Sequence, residues 1–243
     1  MKNFLYYILQ SEFNTVMSFI VDYIEYFFEL AGLIVVIVLY RNIKGSFMKY
    51  FLPFLFLIIT GEIIAYRGGH LGFFVVYFLA ALESIFYCYI FYNLIDSISI
   101  KRTVTFLTGI VIIGFIVGFL FFDISRRYMH FFMKVRIIAG LLTTFYTLFY
   151  LYERFIKEGR QRLTQDPGFW IAFGVIMYSA GLSWIFSLYS LIVEQKLRLF
   201  GEPLYRLVPR LLCVILYSSL ALSIILYAKN KNKHLIQMNN IEN

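Results

Sequence analysis

Residues 103–122 read TVTFLTGIVIIGFIVGFLFF, twenty positions without one charged side chain. A helix rises about 1.5 Å per residue, so roughly 20 apolar residues span the hydrocarbon of a bilayer. Inside lipid every backbone N–H and C=O must be paired within the protein, which leaves helices and closed barrels as spanning structures. A barrel strand would alternate polar and apolar over roughly ten residues. This run does not alternate, so it reads as a transmembrane helix.

Working outward, six further apolar runs have comparable length: about 18–40, 47–66, 71–95, 131–152, 168–193 and 207–228. The gaps are short, so successive helices are expected as antiparallel neighbours. The expected fold class is all-α, a polytopic seven-transmembrane-helix bundle. Residues 1–17 read as a short external segment, 18–228 as the membrane domain and 229–243 as a polar, disordered cytoplasmic tail. Lys2 followed by Phe4–Leu9 has too short an apolar stretch for a signal peptide, and no small-residue cleavage site follows. Composition agrees with the membrane reading. Of 243 residues, 61% are hydrophobic and 15% charged, whereas a soluble domain is about a quarter charged. Phe (28) and Tyr (20) are abundant and many fall mid-span, where they are expected to pack helices or line a cavity.

The formal net charge is +8. With no soluble domain to carry a nucleic-acid site, this excess is read through the positive-inside rule. One set of loops holds Arg41, Lys44, Lys49, Lys101, Arg102, Arg154, Lys157, Arg160, Arg162, Lys229, Lys231 and Lys233, twelve of the 22 Lys and Arg. On the other side Lys134, Arg136, Arg206 and Arg210 lie in or at the ends of helices, leaving six in loops. The expected orientation is N-terminus out and C-terminus in, with the chain multi-pass in the cell membrane (the inner membrane in a bacterium).

Ionisable groups inside a span are costly and mark either ion pairs or function. Asp22, Glu25 and Glu29 share one face of span one by their i, i+3, i+7 spacing. Glu62 lies in span two and Glu83 at the middle of span three. Arg136 is at the outer end of span five and Arg210 at that of span seven. Two arrangements fit: interhelical ion pairs, or a charged cavity open to the outside. Tyr178, Trp184 and Tyr217 are expected near Glu83's depth, where hydroxyl and indole groups could hydrogen-bond a buried carboxyl. Gly114-x-x-x-Gly118 in span four permits close helix approach, and packing within the chain is expected there.

Catalytic and cofactor motifs are not found. His70, His130 and His234 have no metal-ligand spacing. No phosphate-binding glycine loop or nucleophile elbow is present, and span seven has no Lys to hold a retinal Schiff base. Cys88 and Cys213 fall inside spans and read as small apolar side chains. No metal or cofactor is expected, and an enzymatic role ranks last among the functional readings.

Asp166-Pro167-Gly168-Phe169-Trp170-Ile171-Ala172-Phe173-Gly174 followed by Tyr178, Pro53 with Glu62, and Glu83-x-x-x-Tyr87 form a pattern. Together they resemble an uncharacterised family of seven-helix integral membrane proteins from Bacteroidetes, some associated with genes for sensor kinases. That resemblance implies a sensory role and no established activity.

The function expected from these residues is a receptor-like module. A small ligand would enter from outside, meeting Glu29, Glu62 and Glu83 through cationic or hydroxyl groups and Arg136 and Arg210 through anionic groups, with Tyr178, Trp184 and Tyr217 around it. Output would pass through the basic loop Arg154–Arg162 to a cytoplasmic signalling protein. The alternatives are a small-solute or proton-coupled transporter and, third, a lipid-modifying enzyme using Glu62 and Glu83.

Overall fold

In the computed structural model, seven helices are long and apolar enough to cross a membrane. The structure describes the backbone of residues 2–66, 68–120, 126–158 and 163–239, and side chains at 20, 23–66, 68, 72, 74–120, 131–157 and 163–231. The helices are α1 (Lys2–Ile43), α2 (Phe51–Tyr66), α3 (Gly69–Leu94), α4 (Ile98–Leu120), α5 (Arg126–Glu158), α6 (Pro167–Ser187), the short α7 (Tyr189–Glu194) and α8 (Leu204–Asn239). The chain is a multi-pass integral membrane protein with an all-α seven-helix bundle.

Each long helix packs on the next in sequence, and α8 closes the ring by packing against both α6 and α1. Helix α3 also reaches across to α5. The inner faces carry the bulky apolar groups, among them Phe51, Phe91, Tyr150, Ile171, Leu216 and Leu220. Phe54 stacks face to face on Phe86 with ring centroids 3.7 Å apart. The outer surface is apolar too: Phe56, Phe106, Ile113 and Leu120 are exposed. In water a patch of this extent would drive association; in lipid it is the solvated face.

Three buried hydroxyls are satisfied within their own helices. Thr143 and Thr147 donate to the carbonyls of Ala139 and Thr143, at 2.9 and 2.7 Å, and Ser183 donates to that of Ser179 at 2.8 Å. Each returns a hydrogen bond to its own helix one turn back, so no cross-helix partner is required.

Gly114 and Gly118 face neighbours in the same chain. A Cβ on Gly114 would touch Val135 of α5, and one on Gly118 would collide with the Tyr77 hydroxyl of α3 and Phe131 of α5. Tyr77 uses that proximity to donate to the Phe115 carbonyl at 2.6 Å. A close backbone approach also joins α6 to α8. A Cβ on Gly174 would lie 2.7 Å from Ser219 Cβ and 3.2 Å from the Leu216 carbonyl oxygen. Backbone cannot rotate away, so Gly174→Ala is expected to cost about 1–3 kcal/mol. Gly109→Ala, where nothing lies within 4 Å, should be neutral or gain a few tenths of a kcal/mol from helix propensity. Thermal unfolding of the two variants in one detergent separates these outcomes; equal midpoints would refute the close-packing account.

The structure departs from the hydropathy reading at three places. Residues 2–17 continue α1 instead of forming a separate segment. Residues 229–239 continue α8 instead of starting a disordered tail; Asn230 donates to the Gln165 carbonyl at 3.2 Å and Lys231 to that of Asn42 at 2.8 Å, which ties the extension to the bundle end. The span taken as 168–193 breaks at Leu188, whose φ −97°, ψ 6° leaves the helical region. Beyond α7 lies a hairpin, β1 (Arg198–Leu199) paired with β2 (Glu202–Pro203). Its two turn residues, Phe200 (φ 53°) and Gly201 (φ 84°), both have positive φ, the condition for the mirror-image turn that suits hairpin twist.

The loop end near Arg41 is held by polar contacts. Glu153 accepts from the backbone N–H groups of Asp96 and Ser97 at 3.0 and 3.2 Å, capping the start of α4. Lys157 bonds Asp96 at 2.6 Å, and that hydrogen bond holds the exposed Asp96 carboxyl below its ordinary range. Asp166 caps α6 by accepting from the Gly168 N–H at 3.1 Å, and it also accepts from the Tyr150 hydroxyl.

Candidate functional site

Five helices, α1, α2, α3, α5 and α8, bring charged side chains into the bundle. Glu83, near the middle of α3, meets Arg136 of α5 at 3.4 Å. Tyr178 of α6 completes a triangle: its hydroxyl donates to Glu83 Oε1 at 3.2 Å and accepts from Arg136 Nη2 at 3.4 Å. The Arg136 guanidinium also lies over the Phe186 ring, 5.5 Å from its centroid, a cation–π contact. Three helices are thereby cross-linked at one level.

A cavity of about 190 Å³ adjoins this triangle. Its polar wall is Glu62 of α2, Glu83, Arg136 and Tyr178, and its apolar wall includes Leu79 and Phe186. Cys213 and Pro209 of α8 complete the lining, and both cysteines are free thiols. A separate void of about 30 Å³ lies against Glu83, Tyr87 and Ser179.

A second ion pair stands beside the first. Glu25 of α1 meets Arg210 of α8 at 3.3 Å, with both side chains largely buried. One helical turn further along α1, Glu29 is 1% exposed. It lies beside Glu62 and the Tyr217 hydroxyl, yet neither carboxylate oxygen has a hydrogen-bond partner of acceptable geometry. Glu62 Oε2 and the Tyr87 hydroxyl are likewise buried without a partner. Buried polar atoms are almost always satisfied, so this concentration of orphans at one place is unusual.

Of the residues read from sequence, Glu62, Glu83, Arg136 and Tyr178 line one cavity. Glu29 and Tyr217 are not among its lining residues; Glu29 lies behind the wall, beside Glu62 and Tyr217, and Arg210 is engaged with Glu25. Trp184 lies elsewhere: it is 72% exposed on the outward face of α6, beside Ile137 and Leu141. It is six residues from Tyr178, more than one and a half turns, which rotates it away from the interior. Asp22, His70 and His130 have side chains outside the described residues. Among the described residues no group of three potential metal ligands occurs.

No protein-family model, curated protein or solved structure matches the chain.

The motif residues nonetheless have physical reasons to be where they are. Asp166 caps α6 and Pro167 opens it, a position that needs no N–H. Gly168 sits directly beneath the Tyr150 hydroxyl, where a Cβ would collide. Trp170 Nε1 donates to the Thr164 carbonyl at 3.0 Å. Gly174 admits α8 and Tyr178 reaches Glu83. Glu25, Phe186, Pro209 and Cys213 were not singled out as site residues in the sequence. Pro209 carried a signal, because a proline within an apolar span marks a local departure from helix hydrogen bonding.

Proposed function

We propose that this protein is a receptor-like membrane module that binds a small ligand in the intramembrane cavity and signals through a separate protein. The observation that carries this reading is the cavity itself, walled by Glu62, Glu83, Arg136 and Tyr178 from four helices. A ligand exchanging contacts with the Glu83–Arg136–Tyr178 triangle would change what joins α3, α5 and α6. Ligand shifts such an equilibrium only by its difference in affinity between the two arrangements.

The proposed orientation places the N-terminus outside and the C-terminus in the cytoplasm. Arg136, Arg206 and Arg210 each contact a carboxylate, from Glu83, Glu202 and Glu25. This supports leaving them out of the loop count that sets orientation. The cytoplasmic partner would then meet the end formed by Arg41, Lys101, Arg102, Arg154 and Lys157. In a bacterium the membrane would be the inner one.

The test is thermal unfolding of purified wild type and Glu83→Gln across a library of small metabolites and lipids. A ligand at a hundredfold its Kd stabilises the folded state by about 2.7 kcal/mol. At least one compound is expected to protect wild type and not the variant. If no compound protects wild type, the cavity is not a ligand site and the charges serve packing alone. A protecting compound that also crosses into protein-loaded vesicles would move the reading to a transporter.

A further inference from the structure

We infer that the cavity's ligand is a small primary amine, its ammonium ion held at Glu62 with Glu29 adjoining. The inference rests on the cavity being a ligand site and adds the chemical class.

Two carboxylates of the interior have arginine partners: Glu83 has Arg136 and Glu25 has Arg210. Glu29 and Glu62 stand next to each other, and no salt bridge to either occurs among the described residues. Two neighbouring carboxylates in a low-dielectric interior attract a cation strongly and repel an anion. The three acceptor atoms left without partners are Glu29 Oε1, Glu29 Oε2 and Glu62 Oε2. A primary ammonium carries three N–H donors, which suit the carboxyl oxygens gathered at the Glu62 end of the cavity. Glu29 is not an exposed acid awaiting solvent, for it is 1% exposed.

Size and lining define the rest of the molecule. An apolar cavity of about 150 Å³ holds benzene; the present one is about 190 Å³, enough for one small ring or a short chain. Ile58, Leu79, Leu182 and Phe186 give it an apolar wall beside Glu62. A hard metal ion fits less well, because calcium takes six to eight oxygen ligands and no cluster of three acidic, His or Cys ligands is present among the described residues.

The experiment compares isosteres on the full chain in detergent, using calorimetric titration and thermal unfolding. The probes are benzylamine, benzyl alcohol, benzoate and benzyltrimethylammonium, with butylamine and butyrate as the chain pair. The amines are expected to bind and to raise the melting temperature. Benzyltrimethylammonium, cationic but without N–H donors, should bind at least tenfold more weakly. Glu29→Gln and Glu62→Gln should each weaken amine binding at least tenfold, with helical content by circular dichroism unchanged.

The inference is overturned if the alcohol or the acids bind as tightly as the amines. It is equally overturned if both Gln variants bind amines like wild type, or if no amine in the series binds at millimolar concentration. A library compound of another class that protects wild type and not Glu83→Gln would sink the amine assignment and leave the receptor reading standing. No protection by any compound would sink both.

Discussion

Arg136→Met is expected to be the most destabilising single replacement in the bundle interior, lowering stability by about 3–5 kcal/mol. The side chain removed is the counter-charge to Glu83, with which it pairs at 3.4 Å, both side chains less than one fifth exposed. It also leaves the Tyr178 hydroxyl with one partner instead of two and uncovers the Phe186 ring. The cost arises less from the lost attraction than from leaving a carboxylate buried without compensation. That account makes a second demand. Arg136→Met combined with Glu83→Leu removes both charges, and such replacements of buried ion pairs are often neutral or stabilising. The double variant should therefore recover most of the loss. Unfolding free energies of wild type, both singles and the double form a cycle that measures the pairing directly. A single Arg136→Met variant as stable as wild type would show that Glu83 has no need of it.

The same triangle shows what hydropathy can and cannot deliver. Seven runs of suitable length are sufficient to place seven helices, because the constraint is local: each span must satisfy its own backbone. Span two (47–66) coincides with the apolar stretch found, Phe47–Tyr66. Depth was also legible, since position along a helix axis follows from residue number. That is how Tyr178 is expected near Glu83's depth; Arg136, expected at the outer end of span five, meets Glu83 only in the packed bundle. Rotation about each axis was not legible. Nearly every face of these helices is apolar, so no periodic contrast says which side meets lipid, and the fold turns Trp184 outward against the sequence expectation. Which acid meets which base depends on those rotations. The pairing of Glu25 with Arg210, and the isolation of Glu29 one turn away, could come only from the packed helices.

Local backbone events were hidden for a different reason. The break at Leu188 has no Pro or Gly to announce it, and the window that scores a span averages over it. The hairpin after α7 has the signal Phe200-Gly201, but two residues between short polar flanks weigh little in a reading tuned to stretches of about 20. The extension of α8 past residue 228 is likewise a tertiary effect. Its Asn230 and Lys231 gain carbonyl partners on other parts of the chain, which composition alone does not reveal.

Glu29→Met is expected to move stability in the opposite direction, raising it by about 1–3 kcal/mol. Glu29 is as buried as the core aliphatics around it, and both its oxygens lack partners. Burying a polar group without a hydrogen bond costs about 1–3 kcal/mol on mutational scales, and Met has similar length without that cost. The substitution also relieves repulsion with the neighbouring Glu62. Reversible unfolding of ligand-free protein measures the gain, and a loss of stability on Glu29→Met would mean that the carboxyl has a stabilising contact in the empty state. The contrast with Arg136 is the informative part. One buried ionisable group is integral to the packing and its removal breaks the bundle; the other opposes the packing and its removal tightens it. Groups retained against stability are characteristic of binding sites. The same Glu29→Met variant should accordingly lose all protection by amines while melting higher than wild type without them. Stability and ligand response would then separate at a single residue, an outcome that a purely structural role for Glu29 does not produce.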